Sequence, residues 1–84
     1  MARELPIDGV LDLHAFQPRD VKPLVNDYLD ACRERGILDV RIIHGKGIGM
    51  LRDTVQAVLR GRADVAEFRK ADENWGATMV RLRP

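Results

Sequence analysis

The sequence predicts an α/β domain of order β-α-β-α-β-β, a two-layer sandwich with a mixed four-stranded sheet and two helices on one face. Three observations carry this reading. Two segments repeat apolar residues at spacings of three and four, the period of a helix that faces a core. Four short segments are rich in β-branched residues or alternate apolar with polar, as strands do. The chain has 84 residues, enough for one domain and one core. No repeat, linker or low-complexity tract divides residues 1–84, and the folded part is expected from about residue 10 to 83.

The first strand is Val10-Leu11-Asp12-Leu13, apolar on alternate positions and preceded by a break at Gly9. A turn runs from Ala15 to Arg19, where Pro18 stands against an earlier helix. Asp20 is the expected N-cap, because its carboxylate accepts a free backbone N–H and suits the positive end of the helix dipole. Pro23 then falls in the first turn, where a missing N–H costs nothing. Val21, Leu24, Val25, Tyr28, Leu29 and Cys32 mark the buried helical face. Arg33, Arg35 and Gly36 supply a cationic last turn and a left-handed stop.

The second strand is Val40-Arg41-Ile42-Ile43, ending at His44, and a glycine-rich turn follows from Gly45 to Gly49. Leu51, Val55, Val58 and Leu59 then share one helical face until Gly61 ends the helix. Val65 to Phe68 and Ala77 to Leu82 read as the last two strands, joined through a turn at Asp72 to Gly76. Right-handed crossovers put both helices on the same side of the sheet, and the last two strands form an antiparallel hairpin. The other sheet face is then left uncovered, open to a ligand or a partner.

Composition narrows the class. Hydrophobic residues make up 45% and charged residues 32%, which excludes a disordered tail, a collagen-like chain and a membrane protein. A single cysteine, Cys32, excludes a disulfide scaffold and a zinc finger. No apolar run approaches the roughly 18 residues of a membrane span and no signal peptide opens the chain, so a cytoplasmic location is expected. The net charge of +1 hides an asymmetry: residues 1–42 sum to −2 and residues 43–84 to +3. A polyanion would therefore meet a local patch made mainly by the second half.

Both histidines fall at the carboxyl edge of the parallel strands, His14 after the first and His44 after the second. That edge is where open α/β sheets bind ligands. Alternation sets Asp12 on the same side as His14, with Leu11 and Leu13 turned toward the helices. Asp12 and His14 together can hold a divalent ion such as magnesium or manganese, or the carboxylate can orient the imidazole. In His44-Gly45-Lys46-Gly47-Ile48-Gly49-Met50-Leu51-Arg52, alternate glycines let a backbone approach a ligand and expose N–H groups at a helix start. The dipole there favours an anion, Lys46 adds charge, and Arg52 lies in the first turn of the helix. The spacing matches neither a triphosphate-binding nor a dinucleotide-binding glycine motif.

The pair Leu11-Asp12-Leu13-His14 and His44-Gly45-Lys46-Gly47-x-Gly49-x-Leu51-Arg52 resembles the two signatures of the Smr (small MutS-related) domain family. Val65-x-x-Phe68 and Gly76-Ala77-Thr78-x-Val80-x-Leu82 fit the same family, so the likeness spans nearly the whole chain. Ala15 stands where the family commonly has glycine, and Trp75-Gly76 replaces a glycine pair before the last strand. The resemblance implies a fold similar to the C-terminal domain of bacterial translation initiation factor three. It also implies nucleic-acid binding and, in several members, nicking-endonuclease or ribonuclease activity. Some members are attached to a MutS paralogue or to RNA-binding repeats; with about nine residues before its first strand, this chain resembles those that stand alone.

Three functions follow as expectations. The first is a phosphodiesterase that nicks DNA or cleaves RNA, with His14 or His44 as general base or acid. Asp12 would orient His14 or hold a metal. Gly45, Lys46, Gly47, Gly49 and Arg52 would bind the phosphate and stabilise charge developing in the transition state. The second is a non-catalytic nucleic-acid or ribosome-binding module that uses the loop for phosphate contacts alone. The third is a protein-interaction domain built on the uncovered sheet face.

Overall fold

Alternation along each strand decides which side of the sheet becomes the core. In the computed structural model, which describes residues 6–45, 49–71 and 76–84, Leu11, Leu13, Val40, Ile42, Thr78, Val80 and Leu82 all point to one side and are buried. Asp12, Asp39, Glu67 and Arg81 alternate to the other side and are exposed. The elements are β1 (Val10–Asp12), α1 (Pro18–Glu34), β2 (Asp39–Ile43), α2 (Met50–Arg60), β3 (Val65–Lys70) and β4 (Ala77–Leu82). Both helices give their apolar stripes to a single core with the strands: Val21, Val25, Tyr28, Leu29 and Cys32 from α1, and Val55, Val58 and Leu59 from α2. This is the expected mixed four-stranded sheet with two helices on one face.

The strands run in the order β1-β2-β4-β3. β1 pairs parallel to β2, with Asp12 opposite Ile43. β4 inserts antiparallel between β2 and β3, placing Arg41 opposite Met79 and Met79 opposite Arg69. The chain thus reaches β3 by passing over the place that β4 fills later.

Element boundaries differ from the expected ones at α1. The helix begins at Pro18, with Gln17 in extended geometry as the N-cap and no side-chain capping bond. Proline suits the first helical position because its fixed φ is already helical and its missing N–H has no partner there anyway. Asp20 is therefore not the cap; it lies in the first turn, where its charge still favours the dipole. Pro23 lies inside the helix and not in its first turn. β1 stops one residue short of Leu13, β2 gains Asp39, and β3 continues to Lys70. Lys46, Gly47 and the turn expected at Asp72 to Trp75 lie outside the described residues.

Two polar ties fix the ends of the layers. The Tyr28 hydroxyl, inside α1, accepts the Gly9 N–H at 3.1 Å and donates to the Val10 carbonyl at 3.0 Å, setting where β1 begins. Burial of this phenol pushes its pKa up. At the other end, Arg62 grips Asp64 through Nε at 2.9 Å and Nη2 at 2.7 Å, and Nη2 also reaches Asp30 of α1 at 2.7 Å. Arg62 Nη1 donates to the Asn26 side-chain oxygen at 3.0 Å. These bonds raise the guanidinium pKa further above its ordinary value, and the same Arg62 bonds hold the Asp64 carboxyl below its own. The cluster joins α1 to the segment entering β3.

Candidate active site at the carboxyl edge

β1 ends where β2 ends, because their parallel register carries Asp12 alongside Ile43 and the Leu13 N–H donates to the Ile43 carbonyl at 2.9 Å. Past this point the β1 chain turns, and Asp12 and His14 close into a pair. One carboxylate oxygen of Asp12 accepts both the His14 backbone N–H at 2.9 Å and the imidazole Nδ1–H at 2.6 Å. A carboxylate only accepts, so the neutral ring carries its proton on Nδ1 and keeps the Nε2 lone pair. The backbone bond first, and the ring bond after it, hold the Asp12 carboxyl below its ordinary pKa. The pair is open to solvent, with His14 69% and Asp12 56% exposed at the side chain.

His14 Nε2 faces the start of the glycine turn. A Cβ built on Gly45 would sit 3.6 Å from it, and Gly45 itself has φ +81°, a conformation that favours glycine. The structure thus brings together Asp12, His14 and Gly45, from segments about thirty residues apart in sequence.

His44 goes elsewhere. It continues the alternation of Val40 and Ile42, so its ring turns into the helix-covered side and is only 6% exposed. Its Nδ1 donates to the Gly45 carbonyl at 3.0 Å, and Nε2 accepts the Thr78 hydroxyl at 2.9 Å. The Gly76 carbonyl takes both the His44 N–H at 3.1 Å and the Gly45 N–H at 2.9 Å. The two histidines share an edge of the sheet but lie on opposite faces of it. Thr78, fully buried on β4, has a role here that the motif reading missed. Its signal is a hydroxyl at a core position, in the alternation Thr78, Val80, Leu82, where a buried polar group demands a partner.

On the far side of the turn, Gly49 caps α2 in the left-handed region at φ +86° and offers the helix no side-chain capping bond. The Arg52 guanidinium folds back over it: a Cβ at Gly49 would fall 2.6 Å from Nη2. The flexible guanidinium could move aside for a side chain, so it is the left-handed φ that favours glycine here. Arg52 also reaches Asp53 at 3.5 Å. Between Gly45 and Gly49 the loop, with Lys46 and Gly47, is outside the described residues. Among the described residues no three His, Cys, Asp or Glu side chains converge as a metal ion would need, and no helix is long and apolar enough to cross a membrane.

In family and fold the chain is similar to known proteins. The family model for the Smr domain matches residues 11–83. Endonuclease MutS2 of Carboxydothermus hydrogenoformans is 38% identical over 76 residues, 87% of this chain and 10% of that protein. Endonuclease MutS2 of Acetivibrio thermocellus is 33% identical over 86 residues, 99% of this chain and 11% of that protein. The chain therefore spans about a tenth of the length of the MutS2 relatives it matches. The crystal structure of the Smr domain of Thermus thermophilus MutS2 superposes with a TM-score of 0.85 at 31% identity, over 92% of this chain and all of that one. YdaL, a stand-alone small MutS-related protein from Escherichia coli, superposes with a TM-score of 0.84 at 26% identity, over 90% of this chain and 65% of that one. Sequence signatures, sheet order and superposition converge: the chain belongs to the Smr domain family.

Proposed function

We propose that this domain binds nucleic acid and cleaves its phosphodiester backbone, nicking DNA or cutting RNA, with His14 as the general base. The observation that carries the reading is the 2.6 Å bond from His14 Nδ1 to Asp12, which leaves Nε2 as a lone-pair acceptor beside Gly45. In the reaction Nε2 takes a proton from the attacking water, or in RNA from the 2′-hydroxyl, as that oxygen bonds to phosphorus and the bond to the leaving oxygen breaks. Asp12 fixes the tautomer and stabilises the imidazolium that results, and the leaving oxygen departs with a proton from solvent. Phosphate would be held between the Gly45 turn and the α2 N-terminus, with Lys46, the N–H groups of Gly47 and Gly49, and Arg52 supplying charge. The MutS2 relatives are named endonucleases, which supports the same class of reaction.

His44 takes a positioning role in this scheme. Buried and bonded on both ring nitrogens, it sets the entry to the glycine turn and leaves proton transfer to His14. The sequence names no certain cofactor and leaves room for a divalent ion, magnesium or manganese, at Asp12. Both bonds of the pair fall on Asp12 Oδ1, so Oδ2 would be the atom to hold such an ion, which would supply positive charge beside the phosphate. The test is cleavage of supercoiled plasmid and of structured RNA by wild type and by His14→Ala, each with a parallel binding assay. Loss of cutting with binding retained supports the proposal. Equal cutting by both overturns the role of His14, and binding without cutting by wild type leaves a phosphate-binding module.

A further inference from the structure

The sheet face that carries no helix has an ordered charge pattern. Register sets Arg81 of β4 between Asp39 of β2 and Glu67 of β3, and two residues along each strand it sets Met79 between Arg41 and Arg69. Side chains two apart on a strand share a face. The six residues therefore form two adjacent rows, one reading acid, base, acid and the other base, methionine, base. Arg81 Nη1 donates to Asp39 Oδ1 at 3.1 Å, yet these side chains remain 56% and 65% exposed. Glu67 and Arg69 are exposed as well. Asp39, Glu67, Arg69, Met79 and Arg81 line a shallow depression of about 80 Å³.

A polyanion is a poor occupant, because acids flank Arg81 on both sides. A uniformly acidic or basic protein surface fits no better. The pattern is complementary to itself.

We propose that this face pairs with the same face of a second copy, about a two-fold axis that crosses the strands between the two rows. Such a rotation keeps each strand over its counterpart and exchanges the rows. Arg41 then meets Asp39 of the other copy, Arg69 meets its Glu67, and Met79 lies on the aliphatic stem of its Arg81. Each contact occurs twice, as an isologous interface requires. Sheets packed face to face lie about 10 Å apart, within reach of arginine–carboxylate pairs. Moving the axis one residue, onto the arginine row, sets Arg41 against Arg41 and Arg69 against Arg69, so the charges select the register. Solvated ion pairs contribute little each, which makes the association weak and salt-sensitive. Position 45, level with His14, lies five residues along from the axis, about 17 Å at roughly 3.3 Å per residue. Both His14 edges therefore stay open, at opposite ends of the pair.

Sedimentation equilibrium, from micromolar to near-millimolar protein at low and high salt, tests this. Wild type should move from 9.5 kDa toward twice that mass at low salt and return to monomer at high salt. Glu67→Arg alone, and Arg69→Glu alone, should stay monomeric, with circular dichroism showing each folded. An equimolar mixture of these two variants should associate, since each supplies the charge that the other lacks, and the double swap in one chain should self-associate. The β2 pair, Asp39→Arg and Arg41→Glu, repeats the logic should a β3 variant fail to fold. A wild type monomeric throughout overturns the proposal. So does a dimer indifferent to single reversals, or a mixture of single variants that does not associate.

Discussion

His44 Nε2 and the Thr78 hydroxyl lie 2.9 Å apart in the core, joining the end of β2 to the start of β4 just beneath the glycine turn. With Nδ1 given to the Gly45 carbonyl, the ring cannot turn without breaking a bond at either end. A buried pair of this kind is sensitive to loss of one member, because the other is left without a partner in a place water does not reach.

Thr78→Val keeps the shape and removes the hydroxyl. We expect a loss of about 1 to 3 kcal/mol of stability in urea denaturation and weaker phosphate binding as the turn loosens. Thr78→Ser should recover most of both.

His14→Ala should slow cleavage by about 100- to 10,000-fold, the usual contribution of a general base. The side chain is exposed, so the urea midpoint should move little. Asp12→Asn should also lower the rate, because an amide can hold the ring in the wrong tautomer and does not stabilise an imidazolium. Rates from single-turnover assays, beside the urea midpoints, separate this from unfolding.

Lys46→Ala should weaken binding to all nucleic-acid sequences about equally and reduce the slope of log affinity against log salt by about one. Titrations at several salt concentrations read the slope directly. A loss confined to one sequence would point to base contact instead.

Acid should unfold the protein through Asp64. Its folded pKa is lowered, chiefly by hydrogen bonds from Arg62, so on acidification the unfolded chain takes up that proton first. The stabilisation is complete above the ordinary carboxylate value of 3.8 and is lost as pH falls through the lower folded value. Thermal melts at descending pH should show Tm dropping most steeply below about pH 4. Arg62→Met should lower Tm at neutral pH and make its acid limb shallower.

Leu29 is fully buried between α1 and the sheet, so Leu29→Ala should cost about 2 to 5 kcal/mol. An unchanged melting temperature would contradict the packing of α1.

Much of this architecture was legible in local pattern. Leu11 and Leu13 facing in, with Asp12 and His14 facing out, follows from strand alternation, and the buried face of α1 follows from the three-and-four spacing. The sheet order was not legible, since no local signal says that β4 enters between β2 and β3. That depends on which edges remain unpaired after the crossovers. Asp20 was the expected cap on side-chain preference, but Pro18 suits the first helical position by its backbone geometry, and the cap falls at Gln17. The inward ring of His44 was readable, because the alternation Val40, Ile42, His44 already sends it to the helix-covered side. Thr78 needed its cross-strand partner to acquire meaning, and such pairings do not show in one segment.

The place of β4 also governs the order in which the molecule can form. Its residues come last among the six elements, yet the strand is interior, and β3 has no other neighbour in the sheet. While the chain is being synthesised, β1, α1 and β2 can assemble from contacts close in sequence, but β2 then presents an open edge at Val40 and Ile42 until β4 arrives. An unpaired, apolar edge is what foreign strands add to. The interval between synthesis of β2 and insertion of β4 is therefore when this domain is most exposed to misassociation, and substitutions that slow β4, such as a proline at Val80, should show first as aggregation of newly made protein.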